Sequence, residues 1–268
     1  MTRPVLFFAH ANGIPGGSYE TFLAPRRSDY EVRYVDRIGH DPAWPVRRGW
    51  HALSLELERE LEHCPRPLTA VGHSMGGILL FLVALRHPAW FRSLVMMEPP
   101  LINGPHGLLF GIARGLGLGD RITPAGRSRG RRAHFRDDED MRSYFGSRAL
   151  FRAFDPRCLE DYLRAGLEPD GAGGWRLRFD PAVEVEIFRT TPTGLDRRPA
   201  LQVPGTLFSA EQSPPAAREC ARRHARRHGM RFRDAPGSHM FPLEHPETAA
   251  ALVAESLREQ EEAVDASA

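Results

Sequence analysis

Cysteine is scarce: Cys64, Cys158 and Cys220 are the only three in 268 residues. Their number is odd and their spacings are wide, which fits neither a disulfide framework nor a metal site. They read as buried or incidental thiols. Long apolar runs are also missing. None approaches the ~20 residues that a bilayer span needs, so no stable membrane anchor is expected. Residues 1–4 lead straight into a short apolar run at 5–9, with no small-residue cleavage site after it. Such a run is too short for a signal-peptide core, and the expected location is the cytoplasm. An excess of charge is lacking too: a formal net charge of +2 exerts no general pull on nucleic acid. Lysine is absent altogether, and no function is drawn from that.

What is present suits a globular protein. The hydrophobic fraction is 41% and the aromatic fraction 9%, as in ordinary soluble domains. The length fits one large domain, or one domain with an inserted lobe. Short β-rich runs recur at 5–9, 32–35, 68–72, 94–97, 206–208 and 230–232. Helical periodicity separates several of them. Trp50, Leu53, Leu57 and Leu61 form one apolar face, and so do Ile78, Leu79, Leu82 and Leu85. Ala249, Leu252, Val253 and Leu257 give a last helix before a charged tail at 258–262. This alternation predicts an α/β fold, a mostly parallel sheet with helices on both faces. It breaks between residues 101 and 198, a stretch Gly- and Arg-rich at first and mixed later. That segment is expected to be a mainly helical cap inserted into a core made of 1–100 and 199–268. Within it, Arg127, Arg129, Arg131, Arg132 and Arg136 read as a solvated loop or as a basic rim for anionic substrates. Leu108, Leu109, Phe110 and Ile112 suit an apolar pocket for an acyl chain or ring, or the packing of the cap itself.

The most informative segment is Leu68-Thr69-Ala70-Val71-Gly72-His73-Ser74-Met75-Gly76-Gly77. A strand enters Gly-x-Ser-x-Gly and a helix leaves it, the context of a nucleophile elbow. The glycines keep side chains out of the tight strand–helix crossing. Ser74 is then presented at a helix N-terminus, where developing negative charge is favoured, and the Met75 N–H becomes an oxyanion donor. A serine hydroxyl needs a base. Of twelve histidines, His239 lies in a loop between the last strand and the last helix, within reach of the carboxyl edge of a parallel sheet. His87 reads as a helix end, His224 and His228 as members of an Arg-rich helix face, and His73 as pointing away from its neighbour Ser74. After the first strand, His10-Ala11-Asn12-Gly13-Ile14-Pro15 offers a small-residue loop for close backbone approach. Asn12 is the expected second donor, with Ile14 as the alternative.

The segments at 10–15, 35–40, 72–77 and 236–239 resemble the α/β-hydrolase superfamily. They look most like its lidded esterase and lipase-type members, whose first loop reads His-Ala-Asn-Gly. The resemblance covers about 1–100 and 199–268. It implies the α/β-hydrolase fold, a catalytic triad and no metal or organic cofactor, and Ser74 excludes members with an Asp nucleophile. One position departs from the pattern. Relatives usually carry an Asp a few residues after the strand at 206–208, where this chain has Ser213 or Pro214. Two carboxylates stand in. Glu98 follows the strand at 94–97, an alternative site for the acid in some members, and is preferred; Glu211 is in the usual loop but displaced. The expected activity is hydrolysis of a carboxylic ester of a small acyl substrate through an acyl-enzyme on Ser74. The alternatives are a carbon–carbon bond or thioester hydrolase with the same triad, or a non-catalytic ligand-binding module.

Overall fold

The computed structural model describes residues 3–104, 107 and 125–265, with the side chains of residues 127, 264 and 265 left aside. Six strands form one sheet: β1 (Val5–Ala9), β2 (Glu31–Tyr34), β3 (Leu68–His73), β4 (Phe91–Met97), β8 (Gly205–Ala210) and β9 (Arg231–Ala235). All neighbours run parallel, in the order β2-β1-β3-β4-β8-β9. The inner strands are buried on both faces, which explains why they read as continuous apolar runs. Their side chains alternate between two cores. Val5, Phe7 and Ala9 of β1 join one cluster, while Leu6 and Phe8 join the other. Leu94 and Met96 of β4 divide from Val95 and Met97 in the same way. The edge strands β2 and β9 expose Glu31, Arg231 and Asp234, charges that discourage pairing with another chain.

Helices α1 (Glu20–Leu23), α2 (His51–Glu62), α3 (Met75–Arg86), α9 (Pro215–Arg227), α10 (Phe241–Glu244) and α11 (Pro246–Asp265) cover the two faces. From Met75 to Ala84 every residue of α3 is buried, as expected for a helix packed on all sides. The last helix continues through the residues expected to form a charged tail. Gln260 turns inward and donates to Thr206 Oγ1 at 2.8 Å, while Arg231 of β9 pairs with Glu259 at 2.6 Å.

Between β4 and β8 lie α4 (Ala125–Ser128), α5 (Asp138–Ser147), α6 (Ala149–Arg152), α7 (Pro156–Gly166) and α8 (Pro181–Arg189). A separate antiparallel sheet joins β5 (His134–Phe135), β7 (Trp175–Leu177) and β6 (Leu167–Pro169). Strands of two or three residues leave no alternation to read, so this sheet had no signature in the sequence. The segment is tied to the sheet's surroundings at several points. Thr21 donates twice to Asp161 of α7, at 2.8 and 2.6 Å. The Trp50 indole N–H donates to Ile187 C=O at 3.1 Å. Leu108, Leu109, Phe110 and Ile112 lie outside the described residues. The arginine cluster is not one solvated loop: Arg131 is half-buried on Glu184 at 2.7 Å, and Arg132 pairs with Asp140.

His224 and His228 also depart from expectation. They lie opposite the arginines of α9, on the stripe with Cys220, Ala221 and Ala225, and pack against Phe81. Neither ring nitrogen of His224 has a hydrogen-bond partner among the described residues, and burial pushes its pKa down to about 3. The unfolded chain binds this proton from pH 6.5 downward and the folded chain does not, so stability is lost between 6.5 and about 3. His224→Leu should therefore lose less melting temperature than wild type between pH 7 and pH 5, the gap at pH 5 corresponding to about 2 kcal/mol. Equal losses in thermal melts at the two pH values would refute this.

Candidate active site

The strand register brings the carboxyl ends of the inner strands to one edge. Ala9 is level with Gly72, Gly72 with Met96, and Met97 with Phe208. Pairing runs one step further: Ser74 N–H donates to Met97 C=O at 2.8 Å, and Glu98 N–H to Phe208 C=O at 2.9 Å. His10, Ser74 and Glu98 thus leave neighbouring strands on the same side. The strand order reverses between β1 and β3, the crevice where ligands bind in open α/β sheets.

Ser74 has φ 52 and ψ −114, a strained geometry for a residue with a side chain. Two glycines make the turn achievable. A Cβ on Gly76 would lie 2.1 Å from Ala9 O, and one on Gly72 would lie 2.5 Å from Gly77 N. Ser74 Oγ is 3.0 Å from His239 Nε2. Behind the ring, Glu98 Oε2 stands 3.5 Å from Nδ1, looser than a full hydrogen bond. Glu98 is itself strained at φ 47 and held by three donors. Ser209 Oγ and Ala210 N–H meet Oε1, both at 2.9 Å, and Ser213 Oγ meets Oε2 at 2.7 Å. Burial alone would raise this carboxyl's pKa; the pull of the adjacent His239 ring and the hydrogen bonds from Ser213 and Ala210 outweigh it and hold the group at about 2.

Of the two carboxylates singled out in the sequence, the structure brings Glu98 to His239. Glu211 is exposed, its N–H pairs with Ala235 C=O, and its carboxylate has no partner among the described residues. Ser213, standing where an Asp is usual, serves as a donor to Glu98 instead. The loop bearing His239 is fixed by Glu244, which accepts from Ser238 N–H at 2.8 Å and from Ser238 Oγ. Gly237 turns it at φ 85, and a Cβ there would lie 2.5 Å from Glu244 Oε2. Gly237→Ala should therefore displace His239 and lower kcat by about 100-fold. Unchanged turnover in steady-state assays would show that the loop tolerates the methyl.

The first loop is pinned through its carbonyl. Buried His10 accepts Ile38 N–H on Nε2 at 3.1 Å and donates Nδ1–H to Ala11 C=O at 2.8 Å. Burial keeps this ring neutral, with its pKa pushed down to about 4. Ile14 N–H also donates to Ala11 C=O, at 3.1 Å. The Ile14 N–H is thus already used within the loop. Ala11 C=O and Asn12 N–H share one planar trans peptide, so fixing the carbonyl aims the N–H the opposite way. Neither Asn12 N–H nor Met75 N–H has a partner among the described residues. The Asn12 amide donates to Glu184 C=O at 2.9 Å, and the Glu184 carboxylate packs where a Gly13 Cβ would be. Ser128 Oγ, at 2.8 Å, and Arg131 neutralise and orient that carboxylate. The sequence carried no signal for these links, which join residues far apart in the chain.

A strained serine at a strand–helix turn, a histidine on its oxygen and a carboxylate behind the ring are the geometry of nucleophilic acyl-transfer enzymes. The chain belongs to the alpha/beta hydrolase family, whose profile matches residues 6–252. It is 26% identical over 177 residues to a type I acyl-CoA thioesterase of Penicillium brevicompactum, a stretch covering 56% of this chain and 37% of that protein. It is 25% identical over 112 residues to the monoglyceride lipase of Mus musculus, covering 38% of this chain and 37% of the lipase. Each match thus spans less than half of the curated relative. The thioesterase domain from the curacin biosynthetic pathway has the same fold, with TM-score 0.70 and 18% identity over 94% of this chain and 91% of that domain.

Proposed function

We propose that this hydrolase transfers an acyl group from an ester to water through an acyl-enzyme on Ser74. The observation that carries this reading is the 3.0 Å contact of Ser74 Oγ with His239 Nε2, with an ionised Glu98 behind the ring. In this reading His239 removes the Ser74 proton as Oγ attacks the carbonyl carbon. The oxyanion that forms meets the N–H groups of Asn12 and Met75, the latter at the N-terminus of α3. Glu98 stabilises the imidazolium. His239 then protonates the leaving group, the acyl-enzyme forms, and the same ring activates water to release the acid. The segment between β4 and β8 acts as a cap over this edge of the sheet and selects the acyl group.

The test is covalent capture with a fluorophosphonate probe: wild type is labelled and Ser74→Ala is not. Equal labelling would sink the proposal, as would a wild-type protein that turns over no member of an ester panel.

A second reading is a thioesterase, favoured by the likeness to the type I acyl-CoA thioesterase. Matched oxygen esters and thioesters of one acyl group separate the two. A kcat/KM dominated by the thioester selects the second reading, and one dominated by the oxygen ester selects the first.

A further inference from the structure

His73 immediately precedes the nucleophile, yet its ring is fully buried on the far side of the elbow. Its Nε2–H donates to the backbone carbonyl of His239 at 2.8 Å. Its Nδ1 accepts the hydroxyl proton of Tyr19 at 2.7 Å. Tyr19 is likewise fully buried, and its oxygen accepts the N–H of Ala11 at 3.4 Å. The donors and acceptors follow one another in a single sense, from Ala11 through Tyr19 and His73 to His239. Only a neutral His73 with its proton on Nε2 satisfies both ends. Burial first, and then the neighbouring His239, push the pKa of this ring down to about 3.

The chain ends on backbone atoms beside all three working parts. Ala11 is one peptide before the Asn12 N–H, His73 is joined to Ser74, and the carbonyl of His239 belongs to the base itself. We propose that Tyr19 and His73 are positioning residues, which tie the oxyanion loop, the elbow and the base loop into one register. The inference rests on the acyl-enzyme reading above. Apolar side chains of the same size would fill the space but give the loops no direction. Misplacement of a reacting group by about 1 Å costs on the order of 100-fold in rate. The proposed chain holds the base against such slippage without touching substrate.

The experiment uses the full chain carrying Tyr19→Phe, His73→Phe or His73→Gln. Phe at 19 keeps the ring packed on Phe8 and Phe22 and removes only the hydroxyl. Gln at 73 keeps one donor and one acceptor, whereas Phe keeps neither. Steady-state hydrolysis of a p-nitrophenyl ester is normalised to sites titrated by the fluorophosphonate, which corrects for misfolded protein. Tyr19→Phe and His73→Phe should each lose about 10- to 100-fold in kcat with KM within about twofold, and His73→Gln should recover most of the loss. Wild-type kcat in Tyr19→Phe overturns the proposal. So does a His73→Gln variant as impaired as His73→Phe, a comparison that stands if Tyr19→Phe does not fold. Labelling of Ser74→Ala would instead overturn the acyl-enzyme reading; an unlabelled Ser74→Ala beside a fully active Tyr19→Phe overturns the positioning role alone.

Discussion

Ser74→Ala should lower kcat for ester hydrolysis by about a million-fold, the loss seen when the nucleophile of a cooperating triad is removed. The magnitude follows from how the parts depend on one another. Without Oγ, His239 has no proton to take and Glu98 no imidazolium to stabilise, so losing one group costs nearly as much as losing all. What remains is attack by water on a carbonyl polarised by the Asn12 and Met75 N–H groups, worth about 10³–10⁴ over solution. The fold should not notice the change. The Ser74 hydroxyl has one hydrogen-bond partner among the described residues, His239, and the backbone bonds at 74 are unaffected. Equal melting temperatures with turnover lost is the expected result. Turnover within about tenfold of wild type would move the nucleophile elsewhere.

Glu98→Gln should cost about 10⁴-fold in kcat, and Glu211→Gln almost nothing. The shape of the side chain is kept, but its charge is not. A neutral amide no longer stabilises the imidazolium and no longer dictates which ring nitrogen of His239 carries the proton. Glu98 stays ionised down to about pH 2, so it should impose no break on the rate profile in the range where enzymes are assayed. Its effect on stability has a definite sign. The folded pKa lies below the ordinary 4.5, so the carboxylate stabilises the fold above pH 4.5 and loses this as pH falls through about 2. Thermal melts of wild type and Glu98→Gln should therefore converge between pH 4.5 and 2. If Glu98→Gln keeps near-wild-type kcat while Glu211→Gln collapses, the acid is Glu211.

Much of this was legible because it is local. The four inner sheet strands follow from buried apolar runs, and the elbow from a strand and a helix meeting at Gly-x-Ser-x-Gly. The Ser74 turn needs Gly72 and Gly76, and both are visible as letters. The carboxylate that faces His239 was not legible in the same way. Choosing between Glu98 and Glu211 depends on Ser209, Ala210 and Ser213, which reach Glu98 only after β4 and β8 pair. Buried polar links fail for the same reason. Arg131 reads as a solvent cation until Glu184 and Tyr162, on two other helices, enclose it. His224 and His228 sit among arginines in the sequence, and only the i, i+4 stripe with Cys220 turns them inward. His73 read as pointing away from its neighbour; what no pattern indicated was that it points at two other loops.

The place of Glu98 just after β4 also bears on how the site is ordered along the chain. Ser74 and Glu98 directly follow the adjacent strands β3 and β4, and both come before the long stretch that leads to β8 in the chain. That stretch can be lengthened, shortened or exchanged for another without passing between them. His239, in the loop after β9, has no such freedom, because every change in the stretch before it must restore its alignment with Ser74. In this chain two adjacent strands set Ser74 and Glu98, and the strands that follow the stretch bring His239 back to them.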